Sequence, residues 1–173
     1  MNNTKKIILA LTTCGLVFTM SACTKEKMAD PAPATTVTTY TNGPVGAIST
    51  LKTGTIINQS NPAETTTGTL SIVKDANNYF VALNADFKSS FATGTVAEYL
   101  AKSNDNIDTQ RGAAGSASNS KVLALGYVQK NGQQYIKIPD VTGQGTAFSL
   151  SNYSYVVFYC ENAKVNFGNA PLQ

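Results

Sequence analysis

The chain has 173 residues, of which 13 are basic and 10 acidic, and it contains no histidine. Without histidine, a His-ligated haem or metal site and a Ser-His-Asp triad are excluded within this single chain. The small net charge and the lack of a basic patch with interleaved aromatic residues give nucleic-acid binding no electrostatic support, so we expect no nucleic-acid partner.

Residues 1–22 have the features of an export signal. Lys5 and Lys6 precede a largely apolar run up to Met20, and this run is too short to span a bilayer. The segment Met20-Ser21-Ala22-Cys23 resembles the lipobox of bacterial lipoproteins, in which the cysteine receives a diacylglycerol and the peptide is cut before it. We therefore predict a lipoprotein signal peptide over residues 1–22 and lipidation of Cys23. An ordinary signal peptide is the alternative.

Residues 23–43 are predicted to be the lipidated cysteine and a flexible linker. The stretch is rich in Thr, Ala and Pro and has no sustained hydrophobic period, so it cannot bury enough apolar surface to offset its chain entropy. Acyl chains on Cys23 would hold the protein on a membrane. Thr24 is not the aspartate that retains some lipoproteins at the inner membrane. We therefore expect a cell-envelope protein, anchored by its lipid at the outer membrane.

Residues 44–173 have the length of one domain and predict an all-β fold. Short segments of alternating hydrophobicity are separated by turn residues, and no long 3.6-residue period is present. This pattern favours an antiparallel β-sandwich or a flattened barrel with little helix, after a disordered N-terminal tether. Single strands are expected near Gly54–Ile57, Thr95–Leu100, Tyr155–Cys160 and Lys164–Phe167.

Two hairpins are expected in addition. Thr69–Val73 and Tyr79–Leu83 alternate around the turn residues 75–78. Val122–Val128 and Gln134–Ile138 flank Asn131-Gly132, a dipeptide whose preference for positive φ suits a tight hairpin turn. The second pattern is the clearer of the two.

Residues 103–120 are almost wholly small or polar. Long loops of this kind are either functional or mobile. The segment lacks the aromatic and apolar anchors that an ordered binding loop normally uses. We therefore predict a flexible insertion.

Cys160 is expected to be the one free thiol of the mature protein, because Cys14 leaves with the signal and Cys23 is lipidated. A disulfide framework is thereby excluded, and the lack of a Cys-x-x-Cys motif excludes a dithiol cycle. Alternation places Cys160 on the same strand face as Phe158. If that face is the core, apolar surroundings make the thiol inert; if the sulfur lies at the strand end, Lys164 or a nearby amide could stabilise the thiolate. Both interpretations remain open.

An ordered series of residues resembles a known extracellular module. It runs through Asp86-Phe87, Tyr99-Leu100, Leu125-Gly126, Gly132–Pro139, Leu150, Tyr153, Val156-Val157, Cys160 and Val165–Leu172. The module is the DM-thirteen domain, found beside DOMON domains in Skeletor-like animal proteins and alone in bacterial lipoproteins. The resemblance covers about residues 54 to 172 and implies an all-β domain with an electron-transfer or redox role centred on Cys160. Ile136 and Tyr159 depart from the family at positions where an aromatic residue and Trp are common.

Two hypotheses about function remain open. The first is a membrane-anchored redox accessory in which Cys160, with Tyr159, Tyr153 and Tyr135 as nearby aromatic residues, serves a protein redox partner. The second is a non-catalytic β-sandwich that binds a protein or a glycan and keeps Cys160 as an inert core residue. Neither hypothesis makes the chain an enzyme in its own right, and the sequence identifies no cofactor.

Overall fold

The computed structural model describes residues 43–59, 65–91, 95–112 and 119–173. The predicted signal peptide, Cys23 and the linker up to residue 42 lie outside these residues. In this part of the chain, no helix combines the length and the apolar character that a membrane crossing requires.

The described residues form short strands with little helix. In chain order these are β1 (Ser49–Thr55), β2 (Ile57–Asn58), β3 (Thr66–Thr67), β4 (Thr69–Lys74), β5 (Tyr79–Leu83), β6 (Lys88–Ser89), β7 (Ala97–Ala101), α1 (Ile107–Arg111), β8 (Val122–Tyr127), β9 (Gln134–Ile138), a 3₁₀ turn (Leu150–Asn152), β10 (Tyr155–Cys160) and β11 (Val165–Pro171). Three of the expected single strands are present with boundaries shifted by a few residues, whereas the segment Gly54–Ile57 spans the end of β1 and the start of β2. The prediction of slight helix content is confirmed.

The strands form two main antiparallel sheets. The first sheet has the order β1-β4-β5-β9 and the second has the order β2-β11-β10-β7-β8, while β3 and β6 form a separate two-stranded pair. Neither main sheet closes on itself among the described residues. The predicted antiparallel β-sandwich is therefore confirmed, and the flattened-barrel alternative is not.

The second sheet is buried on both of its faces. One row of its side chains joins residues of the first sheet in the main core, and that row includes Val156, Phe158 and Cys160. The other row forms a second apolar cluster with Tyr99, Val157 and Tyr159. The near-continuous apolar sequence of β10 is what a strand with two buried faces requires. We call these two sides the inner and the outer face of the second sheet.

The first predicted hairpin is confirmed. β4 pairs with β5 in the register Lys74↔Tyr79 through Leu70↔Leu83. The Asp75 carboxylate accepts the backbone N–H groups of Asn77 and Asn78 at 2.8 and 2.7 Å. These hydrogen bonds close the turn locally, so the turn sequence alone carries enough information to predict it.

The second predicted hairpin is wrong. β8 pairs with β7 in the second sheet, whereas β9 pairs with β5 in the first. The Asn131-Gly132 corner instead links the two sheets. Gly132 has the positive φ that such a corner needs, 82°. Asn131 accepts the Ser89 N–H at 2.7 Å and donates to the Ser89 carbonyl at 3.2 Å. The corner is thus fixed by a segment 42 residues away, which a local turn pattern does not reveal.

The prediction of a flexible insertion over residues 103–120 is wrong for residues 103–112. They form a cap over the outer face, with α1 at its centre and Ile107 fully buried beneath it. The Asn106 side chain accepts the Asp108 N–H at the start of the helix. Asn166 of β11 accepts the Ile107 N–H and donates to the carbonyls of residues 104 and 105. Residues 113–118 lie outside the described part.

Candidate functional site

Cys160 is the last residue of β10 and has no solvent-exposed surface. Its side chain belongs to the main core cluster together with Phe158, with which alternation predicted that it shares a face. Of the described residues it is the free cysteine, with no disulfide partner. The interpretation of Cys160 as a core-facing residue therefore matches its position.

The strand-end interpretation also matches part of the geometry. The backbone N–H of Ala163, in the turn that joins β10 to β11, points at the Cys160 sulfur with an N···Sγ distance of 3.2 Å. The Lys164 N–H donates to the Cys160 carbonyl at 2.9 Å, and Lys164 has a φ of 59°. A nearby amide is thus placed to stabilise negative charge on the sulfur. The Lys164 ammonium instead lies 3.5 Å from an Asp108 oxygen.

Glu98 is a second polar group on the inner face. It lies opposite Phe158 in the β7–β10 register, so Cys160 is two residues farther along the same face. Such diagonal neighbours lie about 7 Å apart across antiparallel strands. Glu98 is fully buried, and neither of its carboxyl oxygens has a hydrogen-bond partner among the described residues. Desolvation raises the pKa of Glu98 to about 8, so it is mostly a neutral acid at pH 7.

A second polar group of residues lies on the outer face. We call it the outer-face cluster, and it consists of Tyr99, Arg111, Tyr127, Tyr159 and Glu161. Tyr99 donates to Glu161 Oε1 at 2.7 Å, and Tyr127 donates to Glu161 Oε2 at 3.0 Å. Arg111 Nη1 lies 3.7 Å from Glu161 Oε1, and its guanidinium carbon is 6.0 Å from the centre of the Tyr99 ring.

Burial raises the pKa of Tyr99 above its ordinary value of 10, and the hydrogen bond to Glu161 raises it further. The phenol therefore remains protonated across the physiological range.

Tyr159 is the one aromatic candidate that the chain places directly beside Cys160. Because successive side chains of a strand alternate, its ring lies on the outer face, packed edge-on against Tyr99 with 6.1 Å between ring centres. Its hydroxyl is buried and has no hydrogen-bond partner in the described part of the chain. Desolvation raises the Tyr159 pKa, and the nearby Asp108 carboxylate raises it further.

Of the other two predicted aromatic residues, Tyr153 shares the main core cluster with Cys160, whereas Tyr135 does not. Tyr153 packs into the main core and stacks on Phe148, with 6.0 Å between ring centres. Tyr135 packs against Phe80 in a small cluster of the first sheet, away from both faces of β10. The structure therefore places Tyr153 in the core cluster of Cys160, Tyr159 on the opposite face of the sheet and Tyr135 in a different cluster.

Glu98, Tyr99 and Glu161 were not predicted from the sequence as site residues. Glu98 and Glu161 could have formed a catalytic pair of carboxylates, but they lie on opposite faces of the second sheet. The signal that could have identified Glu98 is its position in the strand Ala97–Ala101, whose four remaining residues are all apolar or aromatic. Tyr99 and Glu161 are 62 residues apart, and only the strand register brings them together.

The described residues contain no group of three or more His, Cys, Asp or Glu side chains that could hold a metal ion. In a comparison with protein families, a family model described as Electron transfer DM13 matches residues 58–172. This is more than half of the chain and includes Cys160, Glu98 and the whole outer-face cluster. No curated protein and no solved structure matches the chain.

Proposed function

The chain belongs to the DM13 family of electron-transfer domains, as its sequence resemblance predicts, and on this basis we propose that it is a lipid-anchored redox accessory whose redox centre is Cys160. The observation that carries the proposal is the position of this thiol. It lies within the matched residues, beneath a turn whose Ala163 amide points at the sulfur.

The anchoring part of the proposal rests on the sequence alone. Lys5 and Lys6, the apolar run and the lipobox-like ending at Cys23 support export and acylation. Acyl chains on Cys23 would place the domain at the cell envelope, on the outer membrane, where a membrane-bound or soluble redox protein is its partner.

Burial restricts the redox chemistry that Cys160 could perform. Disulfide exchange requires a second sulfur to contact Cys160, and the folded domain exposes none of this residue. Electron transfer needs no such contact. We therefore propose that the Cys160 thiol gives one electron to an oxidised metal centre of a partner protein and releases its proton to solvent. The reverse step restores the thiol.

The alternative function is a non-catalytic binding module with an inert Cys160. Two observations favour it: the sulfur is enclosed in the apolar core, and a groove of about 450 Å³ opens beside β1 and β4. Hydroxyl and amide groups line this groove, including Thr53, Thr55, Thr69, Ser71 and Asn84. Such a lining suits hydrogen bonds to a glycan or a peptide.

A comparison of two classes of reagent separates these functions. Native protein is treated without oxygen either with iodoacetamide or with a photo-oxidised ruthenium polypyridyl complex, which is a strong one-electron oxidant too large to enter the core. Thiols are then counted after denaturation. Cys160→Ser is the matched control, and the difference between the two proteins gives the state of this one thiol.

The redox proposal expects Cys160 to resist iodoacetamide in the native state and to be oxidised by the ruthenium complex. An inert core thiol would survive both reagents until denaturation. Recovery of the full Cys160 thiol after prolonged treatment with the ruthenium complex would therefore exclude it as the redox centre.

A further inference from the structure

Tyr99 has a combination of partners that simple packing does not require. Its ring is buried, with 1% of its surface exposed, and its hydroxyl donates at 2.7 Å to Glu161. The same carboxylate accepts a second hydrogen bond, from the solvent-exposed Tyr127. One carboxylate thus joins a buried phenol to a phenol at the surface.

We infer that Tyr99 and Glu161 form a proton-coupled electron-transfer pair, in which Tyr99 is oxidised reversibly by one electron and Glu161 takes its proton. This inference rests on the proposed electron-transfer function and adds a second redox group to it. The oxidant is an oxidised transition-metal centre of a partner protein that docks beside Tyr127.

The step balances as follows. One electron leaves the Tyr99 ring and lowers the oxidation state of the partner's metal centre by one. The O–H bond of Tyr99 breaks, and an O–H bond forms at Glu161 Oε1. When an electron returns from the reduced metal centre, the proton moves back to Tyr99 and the starting state is restored.

The geometry supports each part of this step. A donor–acceptor distance of 2.7 Å lies within the range for direct proton transfer, and no side chain has to move. Burial and the carboxylate keep Tyr99 protonated before oxidation, so loss of an electron must be accompanied by loss of the proton. The Arg111 guanidinium, 3.7 Å from Oε1, holds the acceptor in place.

Burial also protects the oxidised state. The cap formed by residues 103–112 and the edge-on Tyr159 ring exclude water from Tyr99. An exposed tyrosyl radical such as one on Tyr127 would react with solvent species and neighbouring molecules. We therefore expect the long-lived radical to reside on Tyr99.

The test uses the full chain and a photo-oxidised ruthenium polypyridyl complex as the one-electron oxidant, with electron paramagnetic resonance as the readout. Wild type should give a long-lived tyrosyl radical, and Tyr99→Phe should reduce its yield by tenfold or more. Tyr79→Phe is the matched control, because Tyr79 lies in the first sheet with Lys74, not a carboxylate, over its ring. Its yield should stay within a factor of two of wild type.

Glu161→Gln provides a second and independent test, because the amide keeps the size of the side chain but cannot take the proton. We expect a lower radical yield and a new dependence of that yield on buffer base. An unchanged yield in either Tyr99→Phe or Glu161→Gln would overturn the inference, as would the absence of a tyrosyl radical in wild type.

The same samples also keep this inference separate from the proposed function. Cys160 thiols are counted after denaturation, and Cys160→Ser is oxidised in parallel. A tyrosyl radical that persists in Cys160→Ser supports the Tyr99–Glu161 pair, even if the thiol itself proves inert. Thiol oxidation without a tyrosyl radical overturns the pair and leaves the proposed role of Cys160 standing.

Discussion

Replacement of Glu98 by methionine should stabilise the domain at neutral pH. The side chain is fully buried in the main core and its two oxygens have no hydrogen-bond partner in the described part of the chain. Methionine has a similar length and no polar group to desolvate, and it adapts to irregular core space. The change removes an unpaired buried acid without opening a large cavity.

The magnitude follows from the pKa of Glu98, which rises from an ordinary value of 4.5 to about 8 in the folded state. Between these values the unfolded chain releases the proton while the folded domain keeps it. The free energy of unfolding therefore falls with rising pH, by about 1.4 kcal/mol per pH unit. The loss reaches roughly 3 kcal/mol at pH 7 and roughly 5 kcal/mol above pH 8. Below pH 4.5 the contribution of Glu98 is fully present.

The assay is urea unfolding at several pH values from 5 to 8 for wild type, Glu98→Met and Glu98→Gln. Both variants should lack the part of the pH dependence that Glu98 contributes. Methionine should exceed glutamine in stability by about 1–3 kcal/mol, because the amide remains an unpaired buried polar group. The reasoning is refuted if all three proteins show the same slope, or if Glu98→Met is less stable than wild type at every pH.

Four further substitutions test the fold, each by urea unfolding. Gly68→Ala should lower the free energy of unfolding by more than about 2 kcal/mol, because φ is 119° and the new Cβ would lie 2.7 Å from the Cα atom of Phe87. Gly46→Ala is the control: its φ is 79° with open space around it, and it should lower the free energy of unfolding by about 1 kcal/mol. Asn131→Ala should lower the free energy of unfolding by about 1–3 kcal/mol, because both hydrogen bonds to Ser89 are lost. An effect near zero would show that these hydrogen bonds do not fix the corner between the sheets. Ile107→Ala should lower the free energy of unfolding by about 2–5 kcal/mol, because Ile107 is fully buried. Amide hydrogen exchange should become faster in residues 102–112 but not in the β4–β5 hairpin, and equal acceleration in both would show that the cap is not a separate unit.

The sequence predicts the strands of this domain better than their pairing. The β4–β5 turn is closed by contacts of Asp75 with residues two and three positions away, so its pattern is sufficient. The Asn131-Gly132 corner has an equally good turn pattern, but its partner is Ser89. A positive φ suits both a hairpin and a corner between sheets, and only the tertiary contact decides between them.

The cap shows a second limit of sequence patterns. Residues 103–112 have one buried apolar anchor, Ile107, and their other links to the domain are polar. Asn166 makes three hydrogen bonds to this segment from β11, about 60 residues away. Composition alone predicts a flexible loop here, because the residues that fix it are not in the loop.

The same reasoning applies to the candidate site. Alternation predicted that Cys160 shares a face with Phe158, since this depends on one strand. The pairing of Tyr99 with Glu161 depends on the β7–β10 register, and the neutral state of Glu98 depends on burial from both sheets. Membership of the Gly132–Pro139 family segment gives no information about how far Tyr135 lies from Cys160.

The arrangement of β10 separates two chemistries that the sequence places side by side. Cys160 and Tyr159 are neighbours in the chain, but the pleat directs the thiol to the main core and the ring to the outer-face cluster. Proton acceptors differ accordingly, because the outer face offers the Glu161 carboxylate whereas the inner face offers Glu98, which is mostly protonated at pH 7. Proton-coupled oxidation is therefore favoured on the outer face at neutral pH. On the inner face neither Glu98 oxygen has a hydrogen-bond partner in the described part of the chain, so Glu98 is not placed to take a proton directly from Cys160.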